Sequence, residues 1–195
     1  MTAADPLQPL ERTSIFRVKT SILTTAILIL ELIPAYGSDY PNCDISRETQ
    51  VSFSNPDATD RLSITISGKP CYEASLTILI TAQGGRQLYR YEAPFKLHVA
   101  IQWDDPGLDK DAERLANRLF DDYWFGLTSE LPAWLAEEEY SEANYQVVQI
   151  GRDYYEALRE SHWATYSHPI HYEGCRVITF DPGKNEAVVV SEGGV

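Results

Sequence analysis

The alternation of Ala74, Leu76, Ile78, Ile80 and Ala82, the break Gln83-Gly84-Gly85-Arg86, and the returning series Gln87, Tyr89, Tyr91, Ala93 and Phe95 constrain this chain most. Side chains two apart share one face of a strand, so both halves carry a continuous stripe. Paired glycines supply the positive φ that tight hairpin turns require. The pattern predicts an antiparallel hairpin, with Pro94 closing the returning strand and Lys96 to Trp103 continuing as a further extended piece.

The same two-residue period marks Thr49 to Ser54, through Val51 and Phe53, and Arg61 to Ser67, through Leu62, Ile64 and Ile66. Asn55-Pro56-Asp57 between them reads as a turn. The period then changes: after Asp104-Asp105-Pro106-Gly107, the residues Leu108, Ala112, Leu115, Leu119 and Tyr123 recur at helical spacing and predict a helix over 108–123. Its first turns hold Asp109, Asp111 and Glu113, where the helix dipole favours negative charge. Pro132 to Tyr140 reads as a short second helix and Arg152 to Ser161 as another, while Tyr145 to Ile150 fits helix or strand. Cys175 to Phe180, the turn Asp181 to Asn185 and Ala187 to Val190 make a second hairpin. Strands on both sides of a helical middle indicate an α+β fold: a mostly antiparallel sheet from N-terminal strands and a C-terminal hairpin, with two to three helices between.

The N-terminus indicates export. Arg12, Arg17 and Lys19 precede the apolar run Ser21 to Leu30, followed by Pro34 and the small residues Ala35 and Gly37. A basic flank, a short apolar stretch and small residues at alternate positions are the layout of a secretory signal peptide, here residues 1–37. The stretch from Ser21 to Ile33 carries Glu31 and is short of the about 20 apolar residues a bilayer span needs, so an uncleaved anchor through residues 21–35 is the secondary reading. Residues 38–195 are then one domain, periplasmic or secreted. The formal net charge of −13 falls on that domain and repels phosphate backbones and anionic lipid headgroups. Nucleic acid and membrane-surface partners are disfavoured, and a cationic protein is the electrostatically natural partner.

Cys43, Cys71 and Cys175 allow three pairings in an oxidising compartment. Cys71 with Cys175 is favoured, because both stand at edges of predicted strands and the long loop so closed would constrain the unfolded chain by ~4 kcal/mol. Cys43 with Cys71 is the near alternative.

Two groups of residues carry chemical interest. His162, His168, His171, Glu173 and Cys175 lie within one short stretch and are zinc-type ligands or acid–base groups. Their spacing argues against convergence: along an extended Pro169 to Val177, His168 and His171 point to opposite faces, and His171 and Cys175 stand about 13 Å apart. The acids Asp104, Asp105, Asp109, Asp111 and Glu113 miss the calcium-loop pattern, because Arg114 occupies the position that requires glycine. The second group is aromatic. Tyr123, Trp124, Trp134, Tyr140 and Trp163 are candidates for a binding surface, since Tyr and Trp bury large area and keep a polar tip.

The phosphate-binding, dinucleotide-binding, serine-hydrolase and zinc-protease signatures are missing from the sequence. The expectation is therefore a non-enzymatic exported protein without a cofactor, a binding or inhibitory module for another protein such as a cationic cell-wall-acting enzyme. A hydrolase or metal-dependent enzyme using the His162–Cys175 region is the rival, and an envelope-anchored structural protein the third reading.

Overall fold

The computed structural model describes residues 41–99, 107–134 and 146–194. Among the described residues nine strands form two antiparallel sheets. The first is a meander of β1 (Cys43–Val51), β2 (Asp60–Gly68), β3 (Ser75–Thr81) and β4 (Gln87–Pro94), in that order. The second contains β5 (Phe125–Leu127), β6 (Gln146–Val148), β7 (Ala164–His171), β8 (Gly174–Asp181) and β9 (Glu186–Gly194), in the order β5-β7-β8-β9-β6. Helix α1 spans Leu108–Arg118 and α2 spans Arg152–Ser161. The α+β class with mostly antiparallel sheet is as the sequence predicts.

The first sheet follows from its alternation. Leu62, Ile64 and Ile66 on β2 and Leu76, Ile78 and Ile80 on β3 are fully buried on one face and pair across the ladder, Ile64 opposite Ile78 and Leu62 opposite Ile80. Burial of each such side chain contributes about 1.5–3 kcal/mol. Their neighbours Ser63, Thr65, Ser75 and Thr77 turn to the outer face. At the β3–β4 turn Gly85 has φ of 83°, and its N–H donates to the Ala82 carbonyl at 2.8 Å, so Gly85 supplies the left-handed residue the hairpin needs.

The inner face of this sheet is closed by two different covers. Helix α1 lies over β1 and β2 with Leu108, Ala112, Ala116 and, at its end, Leu119 buried. Over β4 the cover is the second sheet, whose Tyr166, Ile178 and Phe180 join the same core. The opposite face of the second sheet holds a smaller core, in which α2 residues Tyr155 and Leu158 meet Leu131, Val177 and Val190. The two hairpin tips touch: the Arg86 guanidinium donates to the Asn185 carbonyl and, at 2.8 Å, to its side-chain oxygen.

Several sequence expectations are corrected. The disulfide joins Cys43 to Cys71, with Cα atoms 4.7 Å apart, and Cys175 is a free thiol. Strand pairing explains this. Cys43 stands opposite Gly68, and the 3-10 turn Cys71–Glu73 folds back over Gly68, where a Cβ would collide with Ala74. The Cys71 N–H donates to the Pro41 carbonyl at 2.8 Å, which seats the thiol beside Cys43. Cys175 instead lies in the other sheet, opposite Pro169 and Gly193.

The piece after Pro94 does not begin extended: Phe95–His98 is a 3-10 turn, and residues 100–103 of the predicted piece lie outside the described residues. Proline cannot donate to the ladder, and the fully buried Phe95 turns under the sheet with its N–H on the Ala74 carbonyl at 2.8 Å. Helix α1 ends at Arg118, short of the predicted Tyr123, because Leu119 enters the core and a turn leads into the 3-10 turn Asp122–Trp124. Pro132 to Trp134 is not helical, and residues 135–140 of that predicted helix lie outside the described residues. The ambiguous 145–150 stretch contains strand β6.

Candidate functional site

The polar centre of the protein lies between the sheets. His168 on β7, Arg176 on β8 and Glu192 on β9 occupy one cross-strand row, in which His168 pairs with Arg176 and Arg176 with Glu192. Tyr89 and Tyr91 face this row from β4. His168 Nδ1 stands 2.9 Å from the Pro169 carbonyl, which only accepts, so the ring proton is on Nδ1. Nε2 therefore accepts the Tyr89 hydroxyl at 2.7 Å. The Tyr89 oxygen in turn accepts from Arg176 Nη1 at 3.2 Å, and Arg176 Nε donates to Glu192 at 2.5 Å. The Arg176 guanidinium also lies 5.3 Å from the Tyr91 ring centroid. The result is a satisfied chain from carboxylate to buried imidazole.

Burial sets the protonation of this chain. It lowers the pKa of His168 to about 4, with Arg176 pressing the same way and the Pro169 hydrogen bond opposing. Burial raises the Tyr89 hydroxyl above its ordinary value against the pull of Arg176, and pushes Tyr91 up to about 12. The Cys175 thiol is raised by burial as well, which keeps it protonated at neutral pH. Replacing Tyr89 by Phe would leave His168 Nε2 and one Arg176 donor unpaired in the core. The Tyr89→Phe variant is expected to fold and to lose about 1–3 kcal/mol in urea denaturation, and unchanged stability would show that the chain contributes nothing.

Of the four predicted metal or acid–base residues, only His171 and Glu173 are neighbours, and they share the lining of one cleft, while His162 and His168 lie apart from them. His162 caps the C-terminus of α2 in the left-handed region at φ 57°, exposed, with Nδ1 near the Glu160 carbonyl. His168 is fully buried between the sheets. His171 is exposed at the end of β7, and Glu173 lies in the β7–β8 turn, where its N–H donates to His171 Nδ1 at 3.2 Å. Among the described residues no group of three His, Cys, Asp or Glu side chains could hold a metal ion. Of the acids at the start of α1, Asp111 pairs with Arg114 at 3.0 Å and Glu113 with Arg47 at 3.1 Å.

The aromatic candidates divide. Trp134 packs edge-on against Tyr155 in the smaller core, and Trp163 against Phe180 in the larger, with ring centroids 5.5 and 6.3 Å apart. Tyr140 lies outside the described residues. Tyr123 and Trp124 are different. Tyr123 is 84 % exposed and stacks edge-on against the half-buried Trp124, centroids 5.2 Å apart, just before the edge strand β5. Asp121 and Asp122 are exposed beside them and form no ion pair among the described residues. A shallow groove of about 250 Å³ runs along this edge between Tyr123, Leu127, Glu130 and Thr165.

A second concavity, missed in the sequence, opens on the other side of Trp124. Its volume is about 450 Å³ and its lining includes His98, Leu115, Arg118, Trp124, His171 and Glu173. These residues come from the turn after β4, the end of α1, and the β7–β8 hairpin, so no linear motif could announce them. No protein-family model, curated protein or solved structure matches this chain.

Proposed function

We propose that this chain is a non-enzymatic, exported binding module that engages a cationic protein partner along the acidic, aromatic edge at β5. The observation that carries the reading is Tyr123, almost fully exposed, braced against Trp124 and flanked by Asp121 and Asp122, acids without an ion pair among the described residues, just before the end strand β5 of the second sheet. A rigid aromatic with a polar tip, held in place before binding, is the kind of residue that dominates protein interfaces. The net charge of −13 speeds encounter with a basic partner, and the Cys43–Cys71 disulfide is the chemistry of an oxidising compartment. Among the described residues no helix is long and apolar enough to cross a membrane.

A basic cell-wall-acting enzyme such as a lysozyme is the first partner to test, by surface plasmon resonance at physiological salt. Tyr123→Ala is expected to weaken binding by about 30-fold, the effect of losing a 2 kcal/mol anchor. The Asp121→Asn, Asp122→Asn pair should chiefly slow association and flatten its salt dependence. Binding that ignores both variants, or no binding to basic proteins, would sink the reading.

A further inference from the structure

We infer that the groove beside β5 is a socket for one arginine side chain, through which a basic protein partner docks on this chain. The inference rests on the binding-module reading above and names what the partner presents at that site.

The floor supplies the first argument. It includes the backbone of Gly126, and two acceptors converge over it: a Cβ at that position would lie 2.9 Å from Glu130 Oε2 and 3.1 Å from Thr165 Oγ1. The carboxylate is held there before any partner arrives. The 3-10 turn Thr128–Glu130 follows β5 directly and brings Glu130 back to accept the Leu127 N–H at 2.9 Å. Glu130 is exposed and makes no ion pair among the described residues. Thr165 is only 6 % exposed and lines the groove, and its hydroxyl has no partner among the described residues. Its oxygen is not sealed in the core as the unpartnered hydroxyl of Thr81 is. A largely buried hydroxyl without a partner costs free energy, and a donor entering the groove would satisfy it.

The walls supply the second argument. Tyr123 and Trp124 line the groove, and aromatic rings attract a cation that settles against them. Asp121 and Asp122, immediately before Tyr123, are exposed acids without an ion pair among the described residues, so the approach is anionic. A guanidinium answers all of these features. It is planar and stacks on a ring, and its fork of donors serves two acceptors that converge on one point. The ammonium of lysine is a compact, strongly hydrated point charge with neither property. The volume of about 250 Å³ suits one side chain, being below the about 300–1,000 Å³ of drug-sized sites.

The test uses the full chain and follows the Gly126 and Leu127 amides by NMR. Three probes are titrated: N-acetyl-arginine amide, N-acetyl-lysine amide, and N-acetyl-citrulline amide, which keeps the shape of arginine without its charge. The arginine probe is expected to shift both amides with a Kd of about 5 mM, with lysine about 5-fold and citrulline about 10-fold weaker. Glu130→Gln keeps an acceptor for the Leu127 N–H and so preserves the turn. It should weaken both arginine and lysozyme binding by about 10-fold. Unmoved amides up to about 50 mM arginine probe, lysine or citrulline binding as well as arginine, or a Glu130→Gln variant that binds like the parent would each overturn the inference. The two failures are distinguishable. Lysozyme binding that falls with Tyr123→Ala and ignores Glu130→Gln refutes the socket and leaves the binding-module reading standing, whereas no binding of any basic protein refutes both.

Discussion

Lowering the pH from 6.5 to 4 is expected to strip this protein of about 6 kcal/mol of stability, because His98 and His168 both titrate in the unfolded chain at 6.5 and in the folded protein only near 4. The sign follows from which state takes the proton. Above pH 6.5 both states hold neutral histidines and the pair is neutral to stability. As the pH falls below 6.5 the unfolded chain binds protons that the folded protein refuses, so unfolding becomes easier down to about pH 4 and the loss levels off below that. The physical obstacle to protonation is burial, reinforced for His168 by the Arg176 guanidinium in the same cross-strand row. Each histidine contributes about 3 kcal/mol to the loss, and the sum rivals the whole stability of an ordinary domain. Urea denaturation at pH 7 and pH 4.5 checks this directly. His168→Gln should remove about half of the dependence, and a midpoint that does not move between the two pH values would refute the assignment.

Removal of the Cys43–Cys71 disulfide has the second large effect. It spans 28 residues of sequence, and opening a loop of that length releases unfolded-state entropy equivalent to about 3.5 kcal/mol. For a domain of this size the Cys43→Ser, Cys71→Ser variant should melt about 10 °C lower, and reductant should do the same to the wild-type protein. Cys175→Ser should leave the melting temperature unchanged, because that thiol is unpaired in β8. Calorimetry of the three proteins with and without reductant decides the matter. Equal melting of the double serine variant and the parent would show that the bridge contributes nothing to stability.

The first sheet was legible because its information is local. Leu62, Ile64 and Ile66, then Leu76, Ile78 and Ile80, carry a two-residue period that only a strand buried on one face satisfies, and Gly85 marks the turn. Helix α1 was legible for the same reason, through Leu108, Ala112 and Leu119, although its end was set by Leu119 packing into the core and not by any stop signal in the chain. The disulfide was nearly within reach. Once β1 pairs with β2, Cys43 stands opposite Gly68 and Cys71 follows only three residues later, but strand β1 was predicted to begin at Thr49, too late to bring Cys43 into the ladder.

The site residues were beyond a linear reading. Tyr89 and Tyr91 were correctly placed on one face of β4, yet nothing along the chain says that this face meets His168 and Arg176, which come from a different sheet. The histidine stretch looked like a ligand set by composition, and the β7–β8 hairpin sent His168 into the core and His171 to the surface. His98 and Arg118 carried no signal at all. By itself the sequence determined which residues alternate, where glycine must turn the chain, and that the domain is strongly anionic. Tertiary structure alone decided which buried polar atoms find partners and which surround an open cleft, because those distances depend on how two sheets and a helix pack, and packing is a property of the whole chain.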